Sequence, residues 1–351
     1  MNKTMTTASL VLAMLVATLG TADGGTPAEK GKAVPSPERS VIELPGGGGR
    51  IGFDDVGYSK TLKRILLPGG RTGKLDLIDP ASGAVTAITG FSTAPASSRH
   101  GGGITSVDQG GGFLFVSDRT ARTVDVVDAA TRKIVTHASL AGGPDYVRFV
   151  GPTRELWVTE PHEARIEVLG LPPGKAPVPF HQTFITVPGG PESLVVDASR
   201  GLAYTNLWRN QTLAIDLKKQ SIVSRWINGC AASRGLALDR GSNLLFVGCA
   251  EGGATVLDLA HGGKVVDTAK AGEGVDIIDF SPVLRHLYVP GGRSGTLSIL
   301  GVSPAGKLTL LGEVAAAKGV HGVAAADGKA FVPDPENGRL LVFTDPYPRT
   351  R

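Results

Sequence analysis

Apolar positions in this chain come in short bursts. A pair or trio of apolar residues ending in a β-branched or aliphatic position leads into a polar, glycine-rich turn, then an alternating apolar and polar stretch that often ends in aspartate. Period-two alternation of this kind predicts strands, because successive side chains of a strand point to opposite faces. The pattern returns seven times: RILLPGGRTGKLDLIDPASGAV, FLFVSDRTARTVDVVDAATRKIV, ELWVTEPHEARIEVLG, LAYTNLWRNQTLAIDLKKQSIV, LLFVGCAEGGATVLDLAHGGKVV, HLYVPGGRSGTLSILGVSPAGKL and KAFVPDPENGRLLVFTDP. Its anchor positions are Leu67, Val116, Val158, Thr205, Val247, Val289 and Val332, at spacings of 49, 42, 47, 42, 42 and 43.

Strands and turns at a period in the low forties predict an all-β, seven-bladed β-propeller of four-stranded antiparallel blades around a central channel. Lettered from the channel outward, strand A is the segment before each copy, such as SLVVD or GLALD. Strand B carries the anchor, strand C the alternation, and strand D follows turns such as PASG and LAHGG. The last copy ends after strand C at Phe343. Its outer strand is expected from the other end of the chain, because VIELPGGGGRIGFDD, from Val41, parallels FITVPGGPESLVVD, from Phe184. The N-terminal strand then completes the last blade, closes the ring and leaves no open sheet edge there. The propeller is expected over residues 41–346, with 347–351 as a C-terminal tail.

Composition fits this reading. Forty-nine of 351 residues are glycine, about twice the usual share, and recurrent tight turns account for them. Residues 1–22 carry a lysine, an apolar stretch from Ala8 to Leu19 and small residues beyond it, the form of a secretory signal. Residues 23–40 are expected to be a flexible leader. A periplasmic or secreted protein follows, with no membrane span. The net charge of +4 permits an anionic partner, yet basic runs and aromatic platforms are scarce, which argues against nucleic acid. There is no GxSxG elbow, no GxxxxGK[ST] loop, no HExxH and no CxxCH. No cofactor is expected, and a monomer is.

The segments WINGCAASRGLALDRGSNLLFVGC, GEGVDIIDFSPVLRHLYV and SGTLSIL resemble the YncE-like, YVTN-repeat β-propeller proteins of bacteria. The resemblance covers essentially the whole chain after the signal and implies the propeller fold. It implies no particular reaction, and the wider superfamily includes quinoprotein and haem-containing dehydrogenase propellers.

In an antiparallel blade the D to A and B to C loops share one face, so chemistry is expected at that mouth of the channel. Aligning the D to A loops places Gly49, Gly103, Asp145, Glu192, Arg234, Asp276 and Gly322 at equivalent positions, with His100 and His321 just upstream of two glycines. The candidate ligand-binding set is His100, Asp145, Glu192, Trp208, Arg234, Asp276 and His321. An arginine between carboxylates offers bidentate donors to an acidic or sugar-like ligand while the carboxylates take hydroxyls or amines. The competing reading is an ion pair of Arg234 with Glu192 or Asp276. Trp208 either stacks on a ligand or covers the rim. The expected role is a scaffold for a small ligand or a protein partner, with no catalytic residue and no metal assigned. The alternatives are a metal-assisted hydrolase or lactonase and an oxidoreductase subunit. Cys230 precedes strand A and Cys249 follows strand B of one blade, so a hairpin folded at residues 240–243 predicts a disulfide, against a redox or metal-binding thiol pair.

Overall fold

The computed structural model describes residues 35–95 and 102–351. The signal segment, most of the leader and His100 lie outside the described residues. Seven four-stranded antiparallel sheets follow one another along the chain, each running A-B-C-D except the last. In the last, Ala324–Ala326, Lys329–Asp334 and Arg339–Thr344 supply strands A, B and C, and Glu38–Glu43 supplies D. Glu38 pairs with Thr344 and Glu43 with Arg339, so the ring closes through the N-terminal strand. That strand starts three residues before the expected boundary, because it matches its six-residue partner along its full length.

Burial explains the pattern of the repeat. The B strands, such as Phe113–Asp118, Glu155–Glu160 and Leu244–Cys249, lie between neighbouring blades and are buried at every position. A strand covered on both faces reads as a continuous apolar run, which is what the bursts are. The D strands face outward on one side, so Ser221–Ile227 and Lys264–Ala269 alternate strictly. The core is divided among seven hydrophobic clusters, one for each seam between blades. Trp157, fully buried in the seam of blades 3 and 4, donates from Nε1 to Glu155.

The disulfide joins Cys230 to Cys249 across 19 residues, around a turn between Asp239 and Leu244. It ties the D to A loop of blade 5 to the end of its B strand, as the spacing predicts. The C-terminal residues, expected as a tail, instead pack on blade 6. His286, wholly buried, bonds Asp345 through Nδ1 at 2.7 Å, and Tyr288 donates to the same carboxylate at 2.7 Å. The backbone N–H of Thr350 donates to Leu284. Gly301 leaves room for this segment, since a Cβ there would meet Thr350 Oγ1 at 2.5 Å.

Candidate functional site at the channel mouth

The register of strands A and B fixes which residues are equivalent at the mouth. Tyr58, Gln109, Phe149, Val196, Leu238, Phe280 and Ala325 pair with Ile65, Leu114, Leu156, Ala203, Leu245, Leu287 and Ala330, two residues before each anchor. Four residues upstream of each lie Asp54, Thr105, Asp145, Glu192, Arg234, Asp276 and His321. The sequence alignment is therefore corrected in three blades: Asp54 replaces Gly49, Thr105 replaces Gly103, and His321 itself replaces Gly322. The glycine run at residues 46–49 lengthens the first loop and masked Asp54. The likeness of FDDV to PDYV and VDII is the signal in the sequence that could have located it.

One hydrogen bond at each seam holds this ring. His321 Nε2 faces Phe53 O at 2.9 Å, Asp55 N donates to Thr105 O, and Thr105 Oγ1 donates to Asp145 O. Arg148 Nε donates to Leu194 O, Asn206 Nδ2 to Arg234 O, Gly235 N to Asp276 O at 2.9 Å, and Ile277 N to His321 O at 2.7 Å. Gly235 is a glycine for close approach: a Cβ there would lie 2.4 Å from Asp276 O.

Above the ring opens a cavity of about 410 Å³, lined by Asp54, Arg119, Asp145, Tyr146, His162, Glu192, Trp208, Arg234 and Asp276 among others. Five of the seven sequence candidates thus meet at one cavity. His100 lies outside the described residues. His321 takes its place in the ring beside the cavity, with Nδ1 facing Gly319 O of its own loop at 2.6 Å and Nε2 facing Phe53 O, so that Nε2 joins blade 7 to blade 1.

Arg119, from the B to C loop of blade 2, is held by Asp54 at 2.8 Å and Asp145 at 2.5 Å, and also donates to Pro144 O. Burial works against the guanidinium charge, but the two carboxylates outweigh it and raise its pKa further. One guanidinium does not compensate both acids, and the Asp145 carboxyl is pushed up to about 8 by burial and by Asp54, against Arg119. Arg234 sits over the Trp208 ring, 4.8 Å from its centroid, with Nε 3.9 Å from Glu192 Oε1. That spacing gives a loose pair, not the bidentate contact that makes an arginine and a carboxylate strong partners. Trp208 keeps 41% of its surface exposed.

Two carboxylate oxygens stand out. Glu192 Oε2 and Asp276 Oδ1 are buried and have no hydrogen-bond partner. Burial raises the Glu192 carboxyl well above its ordinary value, with the charges of Asp276 and Asp145 adding to it. Burial likewise lifts Asp276 to about 6, with His321 opposing. Deeper in the channel Arg148 reaches from blade 3 to Asp55 of blade 1 at 2.8 Å and Ser106 of blade 2 at 3.0 Å, and lies over the Tyr146 ring. A second cavity of about 270 Å³ opens beyond this pair, with Asp55, Asp108 and Arg148 in its wall.

Metal chelation needs three or more ligand atoms converging on one point. Among the described residues the only group of three whose ligand atoms lie within 4.8 Å of one another is Cys230, Cys249 and Glu251. Its two sulfurs are joined in the disulfide.

The fold and cavity define a seven-bladed β-propeller with an acid-rich cavity at one channel mouth. No protein-family model and no curated protein sequence matches the chain. Solved structures do resemble it. A chain of the mitotic checkpoint complex aligns with a TM-score of 0.71 at 18% identity, covering 95% of this chain and 99% of that one. A chain of Kuenenia stuttgartiensis hydrazine synthase aligns at 0.68 and 13% identity, covering 85% and 96%. The β-propeller domain of Cps50 (Swd1) from Myceliophteria thermophila aligns at 0.65 and 12%, covering 86% and 98%. At these identities the likeness establishes the propeller fold alone. No helix of the described residues is long and apolar enough to cross a membrane.

Proposed function

We propose that this protein is an exported, YncE-like propeller that acts as a monomeric binding scaffold, holding a small polar ligand in the cavity at its channel mouth. The observation that carries the reading is the pair of buried, unpartnered carboxylate oxygens on Glu192 and Asp276, which flank Arg234 in blade order and share one cavity with it. A buried acceptor without a donor costs stability, and of the seven such side-chain atoms among the described residues these two belong to residues that line the cavity. Trp208 supplies an apolar face at the rim and Arg234 a planar set of donors. Export is supported by the disulfide, which belongs to oxidising compartments, and by the signal-like residues 1–22. The metal-assisted and oxidoreductase readings gain no support from the geometry of the described residues.

The test is a thermal-shift screen of the purified protein against small polar compounds, repeated on Arg234→Ala and Trp208→Ala. At least one compound is expected to raise the melting temperature of the parent and to lose that effect in both variants. A compound that stabilises all three proteins equally moves the site elsewhere.

A further inference from the structure

We infer that the ligand is a small organic cation, whose ammonium or guanidinium group donates to Glu192 and Asp276 while its carbon skeleton lies along Trp208. The inference rests on the proposed role of the channel mouth as a binding site and names the chemical class that the site takes.

The balance of charge at the cavity points to a cation. Four carboxyl groups line it, from Asp54, Asp145, Glu192 and Asp276, against two guanidiniums and the His162 imidazole. Arg119 is consumed by Asp54, Asp145 and Pro144 O. Arg234 is the guanidinium left for Glu192 and Asp276, with His321 acting on Asp276 from beside the cavity. Its Nη1 donates to Ser233 O and its Nε stands 3.9 Å from Glu192. Each of these two acids therefore keeps a buried oxygen without a donor. A second positive group with several N–H donors would supply the hydrogen bonds and favour the charged forms of the carboxyls that burial and mutual repulsion push toward neutrality. An anionic ligand would add to that repulsion, and a neutral one would leave it in place.

A metal ion fits less well. Among the described residues no three acids or histidines of the mouth bring ligand atoms within 4.8 Å of one another, and a cavity of about 410 Å³ is far larger than one ion needs. The molecule itself shows how the rim treats an organic cation, since Arg234 already lies across Trp208 beside Glu192. Ring faces attract guanidinium and ammonium groups electrostatically. Chemically matched ligands isolate the charge: glucosamine, glucose and glucuronate share a ring and differ in bearing an ammonium, only hydroxyls, or a carboxylate. Agmatine and choline extend the cationic series, and choline offers charge without N–H donors.

The experiment is calorimetric titration of the intact exported protein with these five compounds and with calcium chloride. Melting temperatures serve as the folding control for every variant. Saturable binding is expected for glucosamine or agmatine and not for glucose or glucuronate, with choline weaker than agmatine. Glu192→Gln and Asp276→Asn should each weaken the cation at least tenfold, while Glu336→Gln, an exposed acid of the same face, should leave affinity unchanged. Three outcomes overturn the inference and leave the binding reading standing. These are glucuronate binding that Arg234→Ala abolishes, glucose binding as well as glucosamine, and calcium binding that Glu192→Gln abolishes without any organic cation binding. If no compound binds, the inference falls; if the wider thermal-shift screen is also empty, the binding reading falls with it.

Discussion

Aspartates stand on both rims of the ring, and the two rims use them in opposite ways. On the rim of the C to D turns, Asp79, Asp128, Asp216 and Asp258 each head a turn and accept backbone N–H groups from residues two or three positions on. Ala81 and Ser82 donate to Asp79 at 3.0 Å, Thr131 to Asp128 at 2.7 Å, and Lys218 and Lys219 to Asp216 at 2.9 and 2.8 Å. Those bonds hold the carboxyls of Asp79, Asp128 and Asp216 below their ordinary values, and His261 with the turn N–H groups does so for Asp258. At the channel mouth burial and mutual repulsion push Asp145, Glu192 and Asp276 the other way. The lower set is spent on folding the chain. The upper set is held against its electrostatic preference by the ring beneath it, which accords with the binding role proposed for the mouth.

The largest effect expected from breaking the contrast comes from Arg119→Met. The change leaves Asp54 and Asp145 facing one another without their shared cation; removing one partner of a buried pair costs about 3–5 kcal/mol, and the partial exposure of all three side chains puts the expected loss at the low end. Urea denaturation measures it. A loss below about 1 kcal/mol at neutral pH would mean that the two acids are well solvated, and that the upper rim is less constrained than its geometry indicates.

Removing the disulfide with Cys230→Ser and Cys249→Ser together comes next. A loop of 19 residues contributes roughly 3 kcal/mol in the chain-entropy account. The loss should appear equally in the reduced parent protein, and equal stability of oxidised and reduced forms would remove the clasp from the account of the upper rim.

Titration sharpens the comparison further. A carboxyl whose pKa is raised by folding binds its proton more tightly in the native state. It therefore weighs against stability as pH climbs past the unfolded value near 4. This loss falls between about pH 4 and 6 for Asp276 and between about pH 4 and 8 for Asp145. The ligand-free protein should accordingly melt at lower temperature at pH 8 than at pH 5. Glu192→Gln should flatten that slope, raising the melting temperature at pH 8 and leaving it unchanged at pH 4, where both side chains are neutral. The lower-rim acids act in the opposite sense and only in acid, their stabilisation being lost as pH falls below the unfolded value. An unchanged slope in the variant would show that Glu192 is not strained.

The smallest change is expected from Asp128→Ala on the lower rim. It removes the bonds to Thr131 N and Thr131 Oγ1 from an exposed turn. A slight drop in melting temperature, with the pH slope of the parent retained, is the expected result. A flattened slope would dissolve the distinction between the rims.

Both rims were legible in the sequence to different depths. The lower one could be read directly, because the turn aspartates recur at a fixed place in every clear copy, at the end of TVDVVD, TLAID and TVLD. Strand B was equally plain, since burial on two faces leaves an unbroken apolar run. At the mouth, Asp145, Glu192, Arg234 and Asp276 were found by alignment, but Asp54 was hidden behind four glycines whose number nothing in the repeat fixes. Arg119 stands in a B to C loop of the repeat, but its partners could not be read there, because they come from blades 1 and 3, 65 and 26 residues away. His321 was read as a ligand group, and the contact of its Nε2 with Phe53 O, which joins the last blade to the first, could not be read from the repeat. A single chain's pattern records what each blade repeats; it is silent on contacts that one blade makes differently from its neighbours.

The pairing of Glu38–Glu43 with Arg339–Thr344 also sets an order of events. The first strand of the ring leaves the ribosome some three hundred residues before its partner exists. Until then its hydrogen-bonding edge must wait unpaired, and six blades can be assembled beside an incomplete seventh. Closure is a long-range step whose loop entropy is met late. The cavity at the mouth, whose wall includes Asp54 from the start of the chain and whose ring includes His321 from near its end, therefore comes into being only when the two ends meet.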